Sequence, residues 1–329
     1  MSMLKKLNPH DDLLKNSEKI LCKIGERRLS ITQVFSETEL ELWKKSQSKE
    51  LITLREWLKK QPHLPQGVSD QQLLALLHSC SNSIEQTKGK IDSYYTIRTH
   101  APEIFFNRSV TSKQMVLARK ITRISPLRFA TPEGYNAIFI DSVDPDVANY
   151  SFVEAMKIAS LAIDVLVHCF PQEKGNVLVF DMKNSAVAHV IKTNLTTLKK
   201  AMVYVQKALP FVLKQIHVIN AFPLIQQIQL LIKPFVDDNL SKMIHIHMQD
   251  NMESFYEFIP RKSLPKDYGG EADSLQDLNE KLYQLMLNYD PFLKSMDALV
   301  VDENKRTNAS PISGDLFGIQ GSFRKLDLD

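Results

Sequence analysis

The residues best suited to chemistry are few, and they sit on short β-rich runs. His245 and His247 stand two apart in "KMIHIHM". Alternate residues of a strand share one face, so both imidazoles would point the same way and could begin a metal site. Zinc takes three or four ligands and the sequence offers no evident third; two structural histidines at a strand end fit the pattern better. Asp181 closes "NVLVFD", where a strand end could hold a catalytic carboxylate. It has no visible acid or base partner and reads more readily as a turn or capping group. The chain has 10 glycines in 329 residues and no G-x-G-x-x-G or Walker loop. G-x-S-x-G, H-E-x-x-H and Cys-x-x-Cys are missing too. No catalytic residue, metal or cofactor is assigned, and an enzyme is the weakest reading.

The remaining composition narrows the class by exclusion. Apolar residues make up 43% and charged residues 24%, near the average for a globular chain. A net charge of +3 gives no case for nucleic acid. Cys22, Cys80 and Cys169 are odd in number and far apart, which suits reduced thiols in the cytoplasm better than a disulfide framework. The start "MSMLKKLNPHDD" lacks a signal-peptide pattern, and no segment is apolar for long enough to span a bilayer.

The elements that must position any site change character along the chain. Up to about residue 130 the pattern is helical. "SETELELWKKSQSKELITLREWLKKQ" opens on a Ser36/Glu39 capping box and carries apolar residues at helical spacing. Two more helices follow in "SDQQLLALLHSC" and "SIEQTKGKIDSYYTIRTHAPEIF", then a looser connector containing "ISPLRFATPEG". Beyond Gly134, strands "YNAIFID", "NVLVFDM", "QIHVIN" and "KMIHIHM" alternate with helices, which argues an α/β layer. "SLQDLNEKLYQLMLNYD" reads as a closing helix, and residues 302–329 as an extended polar tail.

One helix in that series is unusual. "AFPLIQQIQLLIKPFV", residues 221–236, is too short for a membrane span and too apolar for an ordinary surface helix. At about 100° per residue, Leu224, Ile225, Ile228, Leu231 and Ile232 form one stripe. Gln226, Gln227 and Gln229 fall outside it, and Leu230 is the apolar exception. As pattern alone, a helix packed permanently on a sheet accounts for this stripe, and so does a helix covering something else.

The stretch "VFDMKNSAVAHVIKTNLTTLKKAMVYVQKALPFVLKQIHVINAFPLIQQIQLLIKPF" resembles the core of the CRAL-TRIO lipid-binding family. "IHIHMQD" followed by "YEFIPRKSLPKDYGG" is similar to its last strand and Leu-Pro-x-x-Tyr-Gly-Gly ending, and "LREWLKKQPHLP" with the helices after it to its N-terminal helical domain. The terminal "GSFRKLDLD" looks like that of arthropod members in the branch related to α-tocopherol transfer protein and the clavesins. The resemblance implies an α/β fold in which an N-terminal helical domain precedes a CRAL-TRIO lipid-binding domain with a mixed β-sheet floor and a helical gate. It divides the chain into an N-terminal extension (1–30), the helical domain (31–130), the lipid-binding domain (131–275) and a closing helix with tail (276–329).

It also implies a cytoplasmic, monomeric carrier, transiently membrane-associated, that holds one small lipophilic ligand. The expected pocket wall is Met156, Ala159, Ile163, Leu178, Phe180, Ala201, Tyr204, Val205, Leu209, Phe211, Ile216, Val218, Phe222, Ile225 and Ile232. Val187, Ile191, Leu224, Ile228 and Leu231 match the membrane-contacting gate. Each apolar residue taken singly fits ordinary core as well. Tyr204 could donate a hydrogen bond to a ligand or simply be packed. The ligand expected is a long apolar molecule, tocopherol-, retinoid-, carotenoid- or other lipid-like; tocopherol-transfer relatives place small hydroxyl residues where Ala159 and Ile163 stand, which disfavours tocopherol itself. Those relatives also carry basic residues where this chain has Asn239, Ser241 and Met243. Phosphates need Arg, Lys or helix N-terminal amides, so specific phosphoinositide binding is not expected, although Lys192, Lys199, Lys200 and Lys214 remain. The competing class is a lipid-filled regulatory or scaffolding module at membranes, with phosphoinositide binding.

Overall fold

Ser36 opens the first helix. Its hydroxyl accepts the Glu39 amide at 3.2 Å while its own amide donates to the Glu39 carboxylate at 2.7 Å, so two orphan donors are met at once. The computed structural model describes residues 34–314 apart from 172, 224 and 313, and not the side chains of Val187, Val190 and Leu231. The helical half comprises α1 (Glu37–Ser46), α2 (Ser48–Lys59), α3 (Asp70–Ser79), α4 (Ile84–His100), α5 (Pro102–Phe105) and α6 (Lys113–Ile121). The sequence suggests one helix where α1 and α2 form; Gln47, at φ −114° and ψ 28°, breaks it. Pro102 stands at the start of α5, beyond the end of α4. Trp43, Leu54, Leu73, Ile91, Tyr95 and Phe105 belong to the buried core of this half.

A five-stranded sheet follows: β1 (Thr122–Leu127), β2 (Asn136–Ser142), β3 (Asn176–Asp181), β4 (Leu213–Ala221) and β5 (Ile244–Met248). β1 runs antiparallel to β2 and the remaining pairs are parallel, so the sheet is mixed. β1 falls in the stretch expected to be a loose connector. Pro126 weakens the strand signal there, yet proline is tolerated on an edge strand, and β1 is one. Between the parallel strands run α7 (Phe152–Cys169), α8 (Val187–Ile191), α9 (Leu195–Val203) with a π turn at Tyr204–Ala208, α10 (Ile225–Ile232) and α11 (Asp238–Met243). After β5 come α12 (Glu253–Tyr256), α13 (Leu275–Asn288) and α14 (Asp290–Ser295).

Alternation along the strands separates two cores. Ile138, Leu178 and Ile216 meet Ile158, Leu161, Ala162 and Val165 of α7 on the inner face. Phe139, Val177, Val179 and Ile219 meet Phe255, Ile259, Leu264 and Leu275 on the outer face. On that outer face His217 stacks on His245 and on His247, with ring centroids 5.1 Å apart in both cases. His217 Nδ1 lies 2.8 Å from His247 Nε2, and His247 Nδ1 lies 2.7 Å from the Ser254 hydroxyl.

Asp164 on α7 joins the two halves. Its carboxylate accepts hydrogen bonds from Arg98 of α4 at 2.9 Å and from Arg108 at 2.7 Å, with the Tyr94 hydroxyl at 3.2 Å. All three charged side chains are 1% exposed. Burial would push the Asp164 pKa up, but the two guanidiniums outweigh it and hold the carboxyl below its ordinary value. The C-terminal segment is not the extended tail expected as far as Ile312. Arg306 donates to both Asp92 oxygens at 2.9 Å, the Val301 amide donates to Thr99, and Ile312 is fully buried. Residues 315–329 lie outside the described structure.

Asp164→Ala leaves two buried guanidiniums without their carboxylate and is expected to cost on the order of 3–5 kcal/mol in urea unfolding. A loss below about 1 kcal/mol would show that the ion triad does not hold the halves together.

Burial first, and neighbouring histidines second, hold His217 down at about 3 and His247 at about 4. Both are therefore neutral when folded, whereas the unfolded chain binds protons below about 6.5. Their contribution to stability is complete above that value and is lost as pH falls toward 4, by about 1.4 kcal/mol per pH unit for each excess proton. Urea midpoints between pH 7 and 5 should fall steeply in the native chain and less steeply in His217→Gln; parallel curves would rule the histidine row out.

Candidate functional site

Register assembles the floor of the site. Leu178 lies opposite Ile216 and Phe180 opposite Val218, and Ile140 and Ile246 extend the second row onto the flanking strands. The row nearer the strand starts is closed: Ile138, Leu178 and Ile216 are 4, 6 and 7% exposed. The row nearer the strand ends is different, since Ile140, Phe180, Val218 and Ile246 are all only half-buried. This half of the floor is therefore less completely covered than the other. Ala159 of α7, Val205 and Phe211 pack around the same face. Ile138, Ile140, Ile244 and Ile246 were missed as floor residues, although period-2 alternation within the recognised strands could have found them.

Four of the expected wall residues lie elsewhere. Met156 and Ile163 pack against the helical-half core, and Tyr204 and Leu209 are part of it. α7 is apolar on two sides because it lies between two cores, and periodicity alone cannot tell which side faces which. The Tyr204 ring lies 4.9 Å from that of Phe105 and the residue is 1% exposed, so it is a packed tyrosine. Ala201 is completely buried, Phe222 is half-buried, and Phe211 borders both cores.

Of the residues expected at the gate, Ile228 and Leu231 fall on α10 and Val187 and Ile191 on α8. Ile225 is buried at 6%, while Ile228 and Ile232 are half-buried and Gln226, Gln227 and Gln229 are exposed. Ile191 is 75% exposed, and two apolar residues not anticipated stand out with it: Leu195 at 48% and Leu230 at 68%. Leu230 had a signal, as the one leucine off the apolar stripe. Leu224 lies outside the described residues, and Val187 and Leu231 are described only as backbone positions. Gln206 of the π turn holds the segment after α10. Its amide donates to the Phe235 carbonyl at 2.9 Å and its oxygen accepts the Asp237 amide at 2.7 Å.

A cleft of about 300 Å³ opens beside this segment, lined by Val205, Leu209, Phe211, Asn239, Leu240 and Met243 together with Lys90 and Lys207. The two lysines bring cations to the side where Asn239 and Met243 stand, and the sequence reading did not include them. Lys207 lies 3.9 Å from the Asp237 carboxylate, and Lys90 donates to the Leu209 carbonyl at 3.2 Å. Burial lowers the Lys90 pKa. Of the lysines considered earlier, Lys200 pairs with Glu103 at 2.8 Å, Lys192 donates to the Val147 and Ala148 carbonyls, and Lys214 lies over the Tyr135 ring.

Asp181 has structural partners. It accepts the Lys183 amide, the Asn220 side chain and, at 2.6 Å, the Tyr268 hydroxyl. That last bond explains the "LPKDYGG" ending: Leu264 is fully buried, Tyr268 reaches the strand end, and Gly269 takes φ +78°. A Cβ on Gly270 would lie 1.9 Å from the Leu264 carbonyl oxygen. Among the described residues no cluster of His, Cys, Asp or Glu could hold a metal, and no helix is long and apolar enough to cross a membrane.

Residues 130–270 match the family model of the CRAL/TRIO domain, and residues 43–115 that of the Pinta-like UBA domain. An alpha-tocopherol transfer protein-like protein of Homo sapiens is 25% identical over 248 residues, covering 75% of this chain and 71% of the relative. Clavesin-1 of Rattus norvegicus is 27% identical over 138 residues, 42% of this chain and 39% of the relative. The solved structure of Sfh5 is similar at a TM-score of 0.44 and 15% identity, over 65% of this chain and 76% of that one. Two adjoining domain matches fall on the helical half and the mixed sheet in the order the fold shows, and the Tyr268–Asp181 bond gives the shared ending a physical role. Residues 130–270 are a CRAL/TRIO domain, placed behind a Pinta-like UBA domain in the helical half.

Proposed function

We propose that this protein is a cytoplasmic, monomeric carrier that holds one small hydrophobic ligand between the inner sheet face and the layer formed by α7 and α10, and exchanges it at a membrane. One observation supports this above the rest: the row of Ile140, Phe180, Val218 and Ile246 is apolar, lies across four neighbouring strands and is only half-buried. Covering that row with a lipophile buries apolar surface at about 25 cal/mol per Å². Release follows when α10 moves, with exposed Leu230, Leu195 and Ile191 supplying apolar contact to the bilayer. A few such side chains yield roughly 1.5–3 kcal/mol each, which is enough for transient docking and too little for permanent anchoring. No residue is given a catalytic role. Native mass spectrometry with organic extraction should return one lipid per chain.

Val218→Trp fills the space above the floor. Bound lipid should disappear with little change in melting temperature, because the indole occupies volume that the ligand held. In a packed core the same insertion would cost about 1–3 kcal/mol; full ligand content with a much lower melting temperature would remove Val218 from the site.

Leu230→Asp tests docking, with Ile228→Asp as its half-buried counterpart. Leu230 is exposed, so its replacement should leave folding and ligand content unchanged while transfer to acceptor vesicles slows several-fold, each 1.4 kcal/mol lost on the docked state being about tenfold. Unchanged transfer rates in both variants would place the membrane contact elsewhere. Sedimentation with liposomes should show weak binding that gains little from phosphorylated inositol lipids. Strong, selective enhancement, lost in Lys90→Met with Lys207→Met, would overturn that expectation and assign a headgroup site to the cleft.

A further inference from the structure

Lys90 of α4 is placed unlike the lysines around it. Lys88, on the same helix, pairs with Glu85 at 2.6 Å, and Lys207 lies 3.9 Å from Asp237. Lys90 has no carboxylate partner among the described residues; its Nζ donates to a neutral acceptor, the Leu209 carbonyl, at 3.2 Å. Lys90 and Leu209 both line the cleft beside the segment after α10, together with Val205, Phe211, Leu213, Leu240 and Met243. Burial lowers the Lys90 pKa, and the Cys80 thiol offsets only part of that. A lysine without a counter-ion in apolar surroundings keeps more of its amine unprotonated, and an unprotonated amine is a nucleophile.

Size and lining define the partner. At ~30 Å³ per heavy atom, the room a water takes in the liquid, the cleft of about 300 Å³ holds about ten heavy atoms, roughly nine carbons and an oxygen. Ile140, Phe180, Val218 and Ile246 do not line it, so a guest here is not the cargo proposed over the sheet floor. An anion gains from a charged lysine, which burial disfavours, whereas a carbonyl carbon needs the neutral amine. We infer that Lys90 captures medium-chain aliphatic aldehydes as a reversible imine. The amine lone pair attacks the carbonyl carbon, forming the C–N bond while the C=O π pair moves to oxygen. Nitrogen gives up one proton and oxygen takes one, leaving a carbinolamine. The hydroxyl then leaves with the second nitrogen proton as water, giving C=N, so amine and aldehyde yield imine and water without oxidant or reductant. The alkyl tail covers Val205, Phe211, Leu213 and Met243, which are half-buried in the free chain.

The test treats the full chain at neutral pH with nonanal or propanal and cyanoborohydride, which reduces an imine to a stable secondary amine. Peptide mapping should place one nonyl group per chain on Lys90, with Lys88 and Lys207 unlabelled at that point. Propanal has the same carbonyl and a much shorter tail, so it should label Lys90 at least about tenfold more slowly, since burial of a few methylenes suffices for that factor. Lys90→Arg keeps the cation and the hydrogen-bond donor but cannot form an imine; its melting temperature should match that of the native chain while labelling is lost. Lys90→Met should lose the label too, and Lys207→Met should keep it. Labelling spread over the surface lysines, or equal on Lys88 and Lys90, overturns the assignment of the nucleophile. Equal rates for nonanal and propanal at Lys90 overturn the assignment of the cleft as the seat of the tail.

Discussion

Asp164, held between Arg98 and Arg108, is the contact on which the arrangement of the two halves depends. It brings α4, the segment after α5 and α7 to one carboxylate, and Ser160 adds a hydrogen bond to Arg108 at 3.0 Å from the same helix. Three buried charges cannot be left with any one missing, since a lone ion in a low-dielectric interior is far more costly than a paired one. α7 is therefore locked to the helical half on one side while it packs over the sheet on the other. That helix covers the inner face of the sheet.

The surroundings of α10 are different. α10 is eight residues long, with Ile225 buried at one end and Leu230 exposed near the other. The segment after it is kept in place by neutral hydrogen bonds from one side chain, Gln206, to the Phe235 carbonyl and the Asp237 amide. Neutral hydrogen bonds contribute about 1 kcal/mol net because water can replace them, whereas a buried ion pair cannot be opened so cheaply. The two helices thus differ in how firmly the chain around them is held: α7 by buried charges, the segment after α10 by neutral amide bonds. The π turn matters here, since insertion of an extra residue into a helix redirects the side chains that follow, and Gln206 lies within it.

Both faces of the sheet are apolar, but they serve different ends. The outer face is filled by aromatic and aliphatic side chains and by the neutral histidine row, and the Tyr268–Asp181 bond ties the closing loop to β3. The inner face is filled near the strand starts and left half-covered near the strand ends. A sheet with one rigid face can present a soft, rearrangeable surface on the other without losing its register, because register is set by the alternation that both faces share.

Much of this was determined by the sequence alone. Alternating strands and helices, the Ser36 capping box and the glycine pair after Tyr268 are local signals, governed by backbone geometry within a few residues. The apolar stripe of 224–232 likewise marked a helix, which forms over Ile225–Ile232. What only the tertiary structure decided were the matters of which surface meets which. Tyr204 and Ala159 look alike as apolar pattern, yet one is packed on Phe105 and the other borders the floor. β1 became a strand only because β2 offered it an edge to pair with, and Arg306 docked the tail only because Asp92 faces it across the fold. Periodicity records that a side chain is buried; the partner that buries it lies far away in the chain, where no local pattern can name it.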